Sequence, residues 1–154
     1  MSEGTDTSLG TASDVSDYAR RHLCFGWWSL VMFVLLGAAL ETLHGFKVSW
    51  YLNVGEETRR LLWRLAHAHG AFLSLVQIAF ALTLRHFGGG RLRWTRIASP
   101  CLIGANIALP AGFFLGGLTA QSGDPGLGIF VLPIGAGLLI VSLVLSAWGL
   151  TSSR

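Results

Sequence analysis

"CFGWWSLVMFVLLGAALETLHGF", residues 24–46, is an apolar run with one carboxylate, Glu41, and one imidazole, His44, near its end. A bilayer core needs about 20 mostly apolar residues wound as a helix, and this run is long enough. Its apolar residues do not alternate with polar ones, so it is no barrel strand. A helix is then the one form that satisfies every backbone amide in lipid. Three further windows read the same way: 65–84, 97–118 and 127–150. The expected fold is an all-α polytopic membrane protein, an antiparallel bundle of four transmembrane helices.

The rest of the composition agrees. Of 154 residues, 52% are hydrophobic and 12% charged; soluble domains carry about twice that charge. The formal charge of +3 is too small and too dispersed for a nucleic-acid partner. The first partner is the lipid bilayer, followed by other membrane subunits or further copies of the chain. Cys24 and Cys101 form no CxxC pair and match no metal-finger spacing. There is no Walker loop, no G-x-S-x-G and no G-x-G-x-x-G opening a βαβ unit, so the motifs do not point to an enzyme.

Residues 1–19 are a different material. "MSEGTDTSLGTASDVSD" is Ser, Thr, Gly and acid, with little to bury, and reads as a disordered cytoplasmic tail ahead of a membrane domain over 20–154. Arg20-Arg21 resembles a twin-arginine signal, but the span behind it is too long and apolar for one. Arg20, Arg21, Arg85, Arg91, Arg93, Arg96 and Arg154 mark the cytoplasmic side, and the loop "QSGDPG" has no Lys or Arg. Both termini are therefore expected in the cytoplasm. Lys47, Arg59, Arg60 and Arg64 in the first outer loop break the pattern. Asn53 and Glu56 resemble a capping box, with the second helix starting near Gly55. "HFGGGRLR", 86–93, is a glycine-rich connector.

An ionisable group inside a span is expensive and therefore a functional candidate. Glu41 and His44 close the first span; His67 and His69, in "LAHAHGAF" (65–72), open the second. On consecutive antiparallel helices the four lie at one depth, under the outer headgroups. Glu41 and His44 (i, i+3) share a face with Gly37 and Ala38, the kind of face on which membrane helices approach. His67 shares an arc with Ala66, Gly70, Ser74 and Gln77. His69 points about 200° away, beside Leu73, Val76 and Phe80. His22 and His86, among arginines at the cytoplasmic boundary, read as solvated or headgroup contacts; Cys101, Ser142 and Ser146 read as packing residues.

Prolines add irregularity to the outer half. Pro110 and Pro133 cannot donate to the carbonyls of Asn106 and Ile129. Broken backbone at membrane depth survives only where protein or a cavity covers it. These features predict an outward-opening pocket floored by Asn106 and Gln77 and rimmed by Glu41, His44 and His67.

Several occupants fit that pattern. Glu-x-x-His is the spacing of di-iron bundles, but those need more carboxylates than Glu41 alone supplies. A single transition-metal ion held by Glu41, His44, His67 and His69 is one reading. A b-type haem with His44 and His67 as axial ligands is another. Both describe a redox-associated accessory subunit. The bland alternative is that these groups fasten helices through hydrogen bonds of about 0.6–2 kcal/mol. Beside it stand a small transporter or permease component working through Gln77, Asn106 and the Pro110 kink, and a purely structural subunit.

"LGAALETLHGFK" (36–47), "LAHAHGAFLSLVQIAFAL" (65–82) and "LPAGFFLGG" (109–117) resemble small bacterial four-helix inner-membrane proteins with a His-x-His at the head of the second span. "AHAHG" also resembles the haem-ligating helix of respiratory oxidases. The resemblance covers the four spans and not the tail. It implies a bacterial membrane protein associated with respiratory proteins, and no particular activity.

Overall fold

The computed structural model describes residues 3–52, 57–87, 94–120 and 123–152, with side chains from residue 15 onward. The elements among the described residues are helices: α1 Glu3–Gly45, the short α2 Ser49–Leu52, α3 Glu57–Phe87, α4 Thr95–Leu118, a 3-10 turn Leu127–Val131, and α5 Leu132–Thr151. Among the described residues, four helical stretches are long and apolar enough to cross a membrane, which suggests a multi-pass membrane protein. At 1.5 Å per residue, α3 is about 46 Å long, more than a bilayer's hydrocarbon core.

The long helices pack in the order α1, α3, α4, α5, each against the next. Contact between α1 and α4 is slight, and α1 and α5 do not pack broadly together, so the four form an open row. The central pair, α3 and α4, is the most buried, and α5 the least.

Two apolar clusters hold the row. One joins Ala19 of α1 to Phe80, Ala81 and Leu84 of α3 and Ala98 and Leu102 of α4. The other joins Leu40, Tyr51 and Trp63, with Phe114 against them. Between the clusters the interior turns polar: Ser74, Gln77 and Asn106 are buried there.

The inward face of α1 is a regular stripe. Ala19, His22, Gly26, Phe33, Gly37 and Leu40 are all buried, at intervals of three, four or seven residues. That is the period of one helix face packed on a neighbour. The stripe does not stop at the apolar window. Val15 and Tyr18 pack on the first cluster with Ala19, so residues 15–19 join the packed helix where a tail was expected. Their i, i+3, i+4 spacing supplies an apolar side despite the polar composition around it.

The fourth span also differs from expectation. Pro133 sits in the first turn of α5, where no backbone donor is needed, so it starts a helix and does not kink one. The Ile129 carbonyl expected to be freed accepts the Leu132 N–H. In α4, by contrast, Pro100 and Pro110 are both internal. The capping box at Asn53 and Glu56 and most of the 86–93 connector lie outside the described residues; α3 is seen from Glu57.

Candidate functional site: two grooves and a buried polar chain

The residues predicted to share one pocket occupy three places. Glu41, His44 and His67 line a groove of about 790 Å³ between α1 and α3, together with Gly37, Tyr51 and Arg64. Gln77 is sealed in the interior. Asn106 faces a second groove, between α1 and α4.

In the first groove, His67 lies flat against Gly37, where a Cβ would collide with its ring. A carbonyl only accepts, so His67 Nδ1 donates to the Phe33 carbonyl, at 2.7 Å. Phe33 in turn packs over Gly70, where a Cβ would also collide. Two glycines, one on each helix, thus allow the close approach that forms this bond. Glu41 and His44 stand further along α1 and are exposed.

Tyr51 is 1% exposed, yet its hydroxyl has no hydrogen-bond partner among the described residues. Its ring stacks with Trp63 at 6.4 Å between centroids. Trp63 is itself tied to α4 through Nε1–H donating to the Phe114 carbonyl at 3.1 Å. Tyr51's own carbonyl accepts from the Arg60 guanidinium at 3.1 Å. The groove wall is therefore held on several sides while the buried phenol oxygen is left without a partner among the described residues.

His69 takes no part in that groove. Its Nδ1 bonds the Leu65 carbonyl one turn back, at 2.9 Å, and its ring packs on Phe113 of α4, 4.8 Å between centroids. It meets a different neighbour from His67, as the 200° separation requires.

Among the described residues, no three His, Cys, Asp or Glu side chains come together so as to hold an ion. His67 Nδ1 is committed to a carbonyl, His69 faces another helix, and Glu41 and His44 lie on the exposed side of α1. His44 and His67, the pair named for haem, line the same groove.

The residue that sequence reasoning misplaced is His22. Expected at the headgroups, it is 0% exposed. Its Nδ1 bonds Gln77 Oε1 and its Nε2 lies 2.8 Å from Ser99 Oγ. Gln77 Nε2 donates to the Leu102 carbonyl at 3.0 Å. A carbonyl only accepts, so the amide nitrogen must face Leu102 and the amide oxygen must face His22. His22 Nδ1 is then a donor, and the tautomer follows from the partners. The chain ties α1, α3 and α4 at one level. Ser142 adds α5 by donating to the Ala98 carbonyl at 2.9 Å.

A second chain lies nearby. Ser74 donates to the Gly70 carbonyl at 2.7 Å, and its oxygen is 2.6 Å from Ser29 Oγ. Asn106 Nδ2 donates to Ser29 at 3.3 Å, leaving Asn106 Oδ1 buried without a partner among the described residues.

Compared with known proteins, the chain matches no family model, no curated protein and no solved structure.

Proposed function

We propose that this chain is an accessory binding protein of the bacterial inner membrane, with both termini cytoplasmic and its neighbouring helices antiparallel. In this reading the groove between α1 and α3 receives a small polar headgroup at the outer boundary. The contacts Ser29–Ser74 and Phe33–His67, with Leu40 and Trp63 in one cluster, fit helices running in opposite directions. The Arg-rich ends at Arg20, Arg21, Arg85 and Arg96 fit the orientation.

One observation carries the binding reading: the buried, unpartnered Tyr51 hydroxyl in a groove that also offers Arg64, Glu41, His44 and His67. A buried hydroxyl without a partner costs free energy that a ligand's polar atom recovers. Arg64 suits an anionic group, and Glu41 a cationic one, so a zwitterionic headgroup matches the lining. The groove's volume lies in the usual range of small-molecule sites.

Native mass spectrometry of the protein in lipid nanodiscs tests this. A retained small molecule or lipid is expected, with occupancy falling in Tyr51→Phe and Arg64→Ala. No bound species, or occupancy unchanged in both variants, overturns the assignment. A Soret band, or stoichiometric metal lost in His67→Ala, would restore the metal or haem reading in its place.

A further inference from the structure

We infer that the second groove, between α1 and α4, binds a lipid-soluble compound with an apolar body and a single hydroxyl donor. This site is separate from the α1–α3 groove and rests only on the membrane reading.

The groove has a volume of about 670 Å³. Its walls are bulky and apolar, including Phe25, Trp28 and Met32 from α1 and Ile107 and Phe114 from α4. It exists because α1 and α4 both pack on α3 and barely on each other. Ala66 of α3 is small enough to leave the floor open.

Besides the indole N–H of Trp28 at the rim, the polar side chains in the lining are Ser29 and Asn106, and the hydrogens of these two can be assigned. The Ser74 hydroxyl hydrogen serves the Gly70 carbonyl at 2.7 Å, and the Ser29 hydrogen serves Ser74 at 2.6 Å or the Gly26 carbonyl at 3.2 Å. Ser29 Oγ therefore accepts from Asn106, and the amide must turn its NH₂ toward Ser29. Asn106 Oδ1 is left as an acceptor with no donor; the residue is 2% exposed. Pro110, also in the lining, has no N–H to give the Asn106 backbone carbonyl one turn back. Asn106 Oδ1 thus has no donor among the described residues, and the occupant brings one.

The rest of the lining narrows the class. A hydrocarbon tail would fill the apolar walls and leave Oδ1 unpaired. A charged group would find no counter-charge, since no lining residue is ionisable. A partner helix packs best on small residues, and these walls are mostly large. An apolar alcohol, such as a long-chain or isoprenoid alcohol, satisfies both the walls and the acceptor.

Photolabelling in nanodiscs tests the inference, with a diazirine-bearing octadecanol compared against its methyl ether. The alcohol is expected to label peptides from 25–36 and 106–114 about tenfold more than the ether, the ratio for one hydrogen bond. Asn106→Leu should abolish the preference while apolar capture remains. Ser29→Ala frees the amide N–H and should raise capture of the ether, which can only accept. Equal labelling by alcohol and ether in the wild type means a plain acyl chain fills the groove, and the inference fails. A preference that survives Asn106→Leu also overturns it. Loss of the chain from the membrane fraction would instead sink the membrane reading, and Tyr51→Phe should leave this labelling unchanged.

Discussion

A histidine shut away from water must place both ring nitrogens against partners, and His22 does so with Gln77 and Ser99. Removing one partner of a buried pair leaves the other unsatisfied, at about 1–3 kcal/mol. His22→Ala and Gln77→Ala are each expected to lower the detergent-solubilised protein's stability by that amount. The double variant should cost less than the sum, because both delete the same bond. Thermal unfolding followed by circular dichroism reads this as a double-mutant cycle. A headgroup histidine would instead give a change within about 0.5 kcal/mol and no coupling. Gly70 makes a different residue-scale case: its missing Cβ leaves room for Phe33. Gly70→Ala should destabilise by about 1–3 kcal/mol through overpacking. Gly137→Ala, where a Cβ meets nothing within 4 Å, should be neutral or slightly stabilising in the same melt.

The helix ends show the next scale. α1 stops in a Schellman turn: Val48 N–H bonds the Leu43 carbonyl and Lys47 N–H bonds the His44 carbonyl, both at 3.1 Å. The residue that must turn left-handed is Lys47, at φ 50°. Glycine is the usual occupant there, and a side chain costs about 1–2 kcal/mol. Lys47→Gly is expected to raise the midpoint of thermal unfolding, by about 1 kcal/mol in stability. At the far end of α4, Arg59 Nε donates to the Gly117 carbonyl at 3.1 Å while its guanidinium lies 5.4 Å from the Trp50 ring centre. A cation at a helix C-terminus opposes the negative end of the dipole. That contact draws the start of α3 onto the end of α4, beside the wall that carries Tyr51.

At the scale of the whole molecule, the open row explains why the residues expected in one pocket divide between the α1–α3 and α1–α4 grooves. A closed bundle would bring α1 against α5 and bury the α1–α4 cleft; here α1 packs chiefly on α3. The membrane reading makes its own prediction. Fluorescent-protein fusions at both termini should be bright, as expected of a cytoplasmic location, and alkaline phosphatase fused within 47–56 should be active. A dark C-terminal fusion, or an inactive loop fusion, would reverse the proposed orientation. The Lys and Arg residues of the first outer loop make this a real test.

The sequence by itself determined the four long apolar helices, since length and hydropathy are local properties that need no knowledge of neighbours. It also separated His67 from His69, because helical period alone assigns opposite faces. His22 was legible in principle: extending the 3–4 stripe back through Val15 and Ala19 puts it on the inward face. Stopping the span where hydropathy rises hid that stripe. Only the tertiary structure decided which helices touch, and with them the sealing of Gln77, the division into two grooves, and the unpartnered oxygens of Tyr51 and Asn106. Those depend on which donors and acceptors meet across helices far apart in sequence, and a one-dimensional pattern carries no such pairing.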